Sequence, residues 1–278
     1  MTITVTPLEE GFGAEISGID LSRPLDGEDR RAVYQAFLDS RLIVFRDQDM
    51  SPDNAIDAAR ILGNDLEPHL FKHFHHPDTP LIMVLSNRVN GDGQPKGMKD
   101  AGTFWHSDVS YKPNPAKATF LYAREVPDEG GDTLFCDLTA AYDAMPGDMQ
   151  DRLHGLIAMH DYNHVPRDIF SKLDVTPPPP CPQPVVRTHP ETGRKAIYIN
   201  PGYTTHIEGL EADESADLIK DIFRHCLQDR FRMRYNWRAG DVVAWDNAAT
   251  MHSATTKNLD PAKHRTIWRL TVSGGPAF

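Results

Sequence analysis

The chain has 278 residues, 40% hydrophobic and 25% charged, which supports a sizeable packed core and excludes wholesale disorder. Its formal net charge of −11 argues against a nucleic-acid or anionic-membrane partner, because both need a basic footprint. A local basic pocket for an anionic substrate remains compatible with that exterior.

The opening stretch MTITVTPLEEGFGAEISGIDL has no basic segment followed by an apolar core, so no signal peptide is expected. No apolar run approaches the length of a bilayer span. Cys136, Cys181 and Cys226 are widely spaced, with no CxxC, and read as reduced thiols rather than a disulfide frame or zinc site. The expected location is the cytoplasm.

In chain order, a helix is predicted from Asp26 through GEDRRAVYQAFLDSR, with Val33, Phe37 and Leu38 on its buried stripe. It feeds the apolar strand LIVFRDQ. A second helix opens with Ser51 as N-cap and Pro52 at the first helical position, and runs to about Leu62. Short β runs follow: LIMVLSN, ATFLYAREV, DTLFCDL, PVVRTHP, AIYIN, GDVVAWD and TIWRLTVSG, separated by Gly, Pro, Asn and Asp. AAYDAMPGDMQDRLHGL and ADESADLIKDIFRHCLQD interrupt them with helical spacing. TPPPPCPQP at 176–184 reads as a stiff surface connector, not a domain boundary. There are no internal repeats. The expectation is a mainly β chain with inserted helices, a two-sheet jelly roll, forming one domain over 1–278.

The chemistry begins at TFWHSDVSY, residues 103–111. Read as a strand, it places His106 and Asp108 on one face with Ser107 opposite, half of a metal site. Such a pair also occurs on solvated strand faces with no function. The third ligand is sought in GDVVAWDNAATMHSA, where a strand ends in the turn-prone DNA and His252 follows a short return. Two histidines and a carboxylate make the facial set of non-haem Fe(II). Zinc hydrolases use the same three groups, so the pattern alone does not choose the metal. In HRTIWRLTVSG, Arg265 and Arg269 fall on one face of a β run, about 13 Å apart. Guanidinium groups facing inward call for anions such as carboxylate or sulfonate, or for internal Asp or Glu.

Here the sequence resembles a known family. WHSD, EVPDEGGDTLF, PVVRTHPETGRKAIYINPGYTTHI, WRAGDVVAWDN, the later His252 and RTIWRLTVSG, with GAEISGIDLSRPL and LIVFRDQ before them, are similar to the taurine dioxygenase family. These are Fe(II)- and 2-oxoglutarate-dependent dioxygenases, including taurine, alkylsulfate and phenoxyalkanoate oxygenases. The resemblance spans essentially the whole chain. It implies a double-stranded β-helix, iron held by His106, Asp108 and His252, and O2 as co-reactant. It also implies Arg265 and Thr133 at the distal carboxylate of 2-oxoglutarate, and Arg269, His69 and the Val109 N–H at the acidic group of the substrate. The loop from His252 to Arg265 is longer than is usual in the family, so the roles of the two arginines rest on the RxxxR spacing. Related halogenases lack the carboxylate ligand, so Asp108 favours oxygenation, with succinate and CO2 released.

For substrate, the resemblance implies a small organic carboxylate, sulfonate or sulfate ester, with Tyr203, Tyr162 and Phe104 as an apolar wall or as plain core. GMKDAGTFWH differs from the taurine-type segment, so taurine itself is not expected. EPHLFKHFHH, with His69, His73, His75 and His76, reads as a mobile, partly exposed loop rather than a second metal site, and the resemblance implies a lid bordering the substrate entrance. A zinc-dependent hydrolase and a non-catalytic jelly-roll binding module are the competing classes. Relatives commonly self-associate, which leaves a homo-oligomer open.

Overall fold

The computed structural model describes residues 3–9, 11–165 and 175–278. Its main sheet runs Thr4–Pro7, Ala14–Ser17, Leu42–Phe45, Val242–Asp246, Ala118–Glu125, Thr266–Val272, Thr79–Ser86, His75–His76, and Leu66–Glu67 joins Thr266–Val272 off that path. Pairing is antiparallel except between Ala14–Ser17 and Leu42–Phe45. Opposite it lie a three-stranded sheet, Arg232–Tyr235, Thr133–Asp137 and Thr250–Ala254, and a second one, Cys181–Pro184, Ile157–His160 and Thr204–Ile207. This is the expected jelly roll with inserted helices.

Strand alternation explains how the main sheet serves two cores at once. Ile43, Phe45, Phe120, Tyr122 and Leu270 pack toward the helices, whereas Leu42, Val44, Leu121, Val243 and Ile267 pack with Phe135 and Met233 of the opposing sheet and with Trp237 just beyond it. The second face leads to the site. Arg265 and Arg269 flank Ile267 in this alternation, although a register shift at Thr266/Ile267 interrupts the ladder.

The helices begin where their caps predict. Asp26 accepts from the N–H groups of Glu28 and Asp29, and the helix Gly27–Ser40 follows. Ser51 and Asn54 form a reciprocal capping box for Pro52–Ala59, three residues shorter than expected. In Ala212–Cys226, the buried residues Ser215, Leu218, Ile222 and Cys226 form one stripe. The predicted helical stretch 140–156 is two helices, Leu138–Asp143 and Gly147–Leu153, because Pro146 caps the second and cannot continue the first.

The proline-rich connector is partly a strand. Cys181–Pro184 pairs with Ile157–His160, and the buried Gln183 amide donates to Ser110 O and Lys112 O at 2.9 and 2.8 Å. An edge position tolerates prolines that a central strand would reject. All three cysteines are buried free thiols. Among the described residues, no helix is long and apolar enough to cross a membrane.

Candidate metal centre and active site

His106 and His252 are held by one reciprocal backbone pair. His106 N–H donates to His252 O at 3.0 Å, and His252 N–H donates to His106 O at 2.8 Å. His252 itself sits within the strand Thr250–Ala254, which pairs with Thr133–Asp137. The expected strand over 103–111 is not there. His106 makes an isolated bridge, and the chain then turns, with Val109 in the left-handed region at φ 60°. A β-branched residue in that region is strained, and such strain persists only where the surroundings over-determine it. The turn, rather than a shared strand face, swings Asp108 under the two imidazoles.

The ligand atoms of His106, Asp108 and His252 lie within 4.8 Å of one another, and all three residues are buried. His106 Nε2 is 3.4 Å from Asp108 Oδ1, and His252 Nε2 is 3.7 Å from Asp108 Oδ2. Donors bonded cis to one metal at about 2.1 Å stand about 3 Å apart, so the two His–Asp separations need only a small contraction. His106 Nδ1 lies 2.8 Å from Phe104 O. A carbonyl only accepts, so Nδ1 carries the proton and Nε2 keeps its lone pair for a metal. The His252 ring is confined by Trp245 at 4.5 Å and Phe135 at 6.1 Å. This donor set fits a divalent transition metal.

Burial would raise the Asp108 carboxyl, but Arg269, His252 and His106 outweigh it and hold it well below the usual carboxylate range. Arg269 Nη2 is 2.9 Å from Asp108 Oδ1. Burial, aided by His106, pushes His252 well below the ordinary histidine value, so its ring stays neutral and able to ligate.

Thr133, Arg265 and Arg269 line one cavity with His106, Asp108 and His252. Arg265 is buried, which pulls its guanidinium down to about 10, and its Nε donates to Gly131 O at 3.0 Å. The Thr133 hydroxyl accepts from Trp237 Nε1 at 3.0 Å, so its own proton remains to be donated. A neighbouring pocket of about 370 Å³ is lined by His69, Val109, Tyr203 and Arg269, with Phe104 and Tyr162. His69 Nδ1 accepts from Phe71 N at 3.2 Å, leaving Nε2 as its donor. Burial, then the Arg269 charge, lowers the His69 imidazole to about 3.

The other histidines of that stretch serve local structure. His75 and His76 form a short strand at the sheet edge; His75 Nε2 bonds His69 O at 2.8 Å, and His76 packs edge-on against Trp268. Among the described residues, His106, Asp108 and His252 are the one group placed to hold a metal. The sequence reading missed Trp237, Thr119, Tyr111 and Gly102, all at or against these cavities. Thr119, Tyr111 and Gly102 lay in runs taken for strand or loop, whereas Trp237 and Asn247 open and close the motif WRAGDVVAWDN without a role being assigned to either.

A jelly roll carrying two histidines and a carboxylate beside buried arginines is the architecture of non-haem metal oxygenases. The family described as taurine catabolism dioxygenase TauD, TfdA family, matches residues 4–271, and the chain belongs to it. The alpha-ketoglutarate-dependent 2,4-dichlorophenoxyacetate dioxygenase of Cupriavidus pinatubonensis is 32% identical, over 98% of this chain and 98% of that protein. A taurine dioxygenase from Burkholderia xenovorans matches with a TM-score of 0.83 at 30% identity, covering 99% of this chain and 90% of the other. AAD-2, solved with Mn(II) and N-oxalylglycine, gives a TM-score of 0.79 at 29% identity over 100% of both chains. The chain is thus an Fe(II)- and 2-oxoglutarate-dependent dioxygenase that uses O2. This decides against the zinc hydrolase and the non-catalytic module.

Proposed function

We propose that this protein oxidises, by hydroxylation, a C–H bond of a small organic anion, with His106, Asp108 and His252 as the iron ligands. The observation that carries the reading is the convergence of these three side chains on the cavity that also holds Arg265 and Thr133. Bound iron with 2-oxoglutarate and O2 supplies the oxidising power, the cosubstrate leaving as succinate and CO2.

Arg265 and the Thr133 proton grip the distal carboxylate of 2-oxoglutarate and fix its orientation. Their anchors, Gly131 O and Trp237 Nε1, keep both groups aimed without rearrangement. Arg269, His69 through Nε2, and the Val109 N–H hold the acidic group of the substrate. Tyr203, with Tyr111 and Tyr162 packed against it, forms an apolar wall that excludes water. The 2,4-dichlorophenoxyacetate relative, whose named substrate is a carboxylate, supports an anion beside Arg269.

The whole chain, 1–278, acts as one dioxygenase domain. The net charge of −11 supports an enzyme without nucleic-acid or membrane partners, the three free thiols support a cytoplasmic location, and self-association into a homo-oligomer belongs to the same reading. A panel of carboxylates, sulfonates and sulfate esters, scored for succinate formation with Fe(II) and 2-oxoglutarate, tests it. Stimulation by anions but not by their neutral amides or alcohols is expected; stimulation by both alike would remove the anionic substrate.

A further inference from the structure

The two oxygens of Asp108 are not equivalent. Oδ2 accepts from Thr119 Oγ1 at 2.6 Å, the short distance of a hydroxyl bonded to an ionised carboxylate. Thr119 Oγ1 in turn accepts from Asn247 Nδ2 at 3.0 Å. Asn247 Oδ1 accepts from Trp245 Nε1 at 3.1 Å and from the Asp108 N–H at 3.2 Å. Thr119 and Asn247 are fully buried.

Donor chemistry fixes the direction of every bond in this chain. An indole N–H only donates, so Asn247 must present its oxygen to Trp245 and to the Asp108 N–H. Its NH2 is then committed to Thr119. A hydroxyl has one proton, and with Asn247 donating to it, Thr119 must place that proton on Asp108 Oδ2. No alternative proton arrangement satisfies all four groups.

We propose that Trp245, Asn247 and Thr119 are positioning residues forming a one-way relay that fixes the rotation of the Asp108 carboxylate, Oδ2 held by Thr119 and Oδ1 by Arg269, so that the ligand is already oriented before a metal binds. The inference rests on the reading of Asp108 as an iron ligand. A carboxylate free to rotate would have to be ordered when the metal binds, which lowers affinity. The relay removes that cost by giving Oδ2 a fixed partner in the folded protein. Asn247 also ties the Asp108 backbone, so side chain and main chain of the ligand are fixed by one amide.

The test measures Mn(II) affinity of chelator-stripped protein by the electron paramagnetic resonance signal of free Mn(II), without turnover. Thr119→Val, which keeps the shape but loses the proton, is expected to weaken Mn(II) about 10- to 100-fold, and Thr119→Ser to restore it. Asn247→Leu, which leaves the Thr119 proton undirected, is expected to weaken it less, and serves as the probe should Thr119→Val not fold by circular dichroism. Asp108→Ala separates the two claims. If it abolishes Mn(II) binding while Thr119→Val and Asn247→Leu bind as wild type, the relay is overturned and the ligand assignment stands. If Asp108→Ala binds as wild type, the ligand assignment itself falls. Equal weakening by Ser and Val at position 119 would also overturn the relay, since the hydroxyl would not be the cause.

Discussion

Arg269 Nη2 lies 2.9 Å from Asp108 Oδ1, so the arginine assigned to the substrate also neutralises the carboxylate assigned to the metal. Both side chains are largely removed from solvent, Asp108 at 3% and Arg269 at 12% exposure. The pair links the two halves of the site. An anion drawing on Arg269 loosens its hold on Asp108, and a cation at Asp108 frees Arg269 for an anion.

Replacing Arg269 should therefore be felt twice. In chelator-treated protein, Arg269→Gln leaves a buried carboxylate without its guanidinium and is expected to cost about 3 kcal/mol of stability, much of it recovered on adding Mn(II). Denaturant titration with and without the metal measures this. In turnover, the same variant should raise KM for the organic acid far more than for 2-oxoglutarate. Equal rises would exchange the roles given to Arg269 and Arg265.

At the cosubstrate end, Arg265→Lys keeps the charge but loses the planar fork and the bond to Gly131 O. The KM for 2-oxoglutarate is expected to rise at least about tenfold, since hydrogen bonds to charged groups contribute about 1.5–3 kcal/mol. Trp237→Phe removes only the bond that aims the Thr133 proton, and should raise it about fivefold, near 1 kcal/mol. Steady-state kinetics at saturating substrate would reveal either.

Gly102 lies against the His106 ring. Its φ is +66°, and a Cβ placed there would meet His106 Cε1 at 2.6 Å. Gly102→Ala is expected to displace the imidazole and abolish bound iron, measured by metal analysis, with circular dichroism unchanged. Gly93→Ala is the control: φ is +80° but nothing lies within 4 Å, so only about 1–2 kcal/mol of backbone strain is expected, with full iron content.

His160 sets a pH dependence of folding. Its ring is fully buried, 3.0 Å from Ser110 Oγ and 3.1 Å from Thr204 Oγ1, and burial lowers it from 6.5 to about 3. The unfolded chain thus binds the proton more readily than the folded one between these values. This contribution is complete above pH 6.5 and is lost as pH falls toward 3, by at most about 1.4 kcal/mol per pH unit. His69 acts with the same sign. His160→Gln should flatten the fall in urea midpoint between pH 6 and pH 4; an unchanged slope would show that His160 is not its source.

Much of this was legible before any coordinates. The caps at Asp26 and Ser51 and the period-two runs placed the helices and most central strands, because these depend on local hydrogen bonds and on alternation. The gathering of His106, Asp108, His252, Thr133, Arg265 and Arg269 followed from family resemblance together with the donor chemistry of each side chain. Residues 103–111 were misread because a strained turn at Val109 has no propensity signal; it exists only where tertiary contacts hold it. Cys181–Pro184 was hidden because proline argues against strands, and its edge position is known only once the sheet is assembled. Trp237 and Asn247 stood in the motif WRAGDVVAWDN, but their bonds to Thr133, Thr119 and Trp245 are made across the fold and have no sequence pattern of their own.

The most direct measurement is an anaerobic titration with Fe(II) and 2-oxoglutarate, followed by O2 and a responsive organic acid, on wild type and His106→Ala. One iron per chain and one succinate per substrate oxidised are expected for wild type, with neither above background for His106→Ala. Full substrate-coupled O2 consumption by His106→Ala would contradict the account.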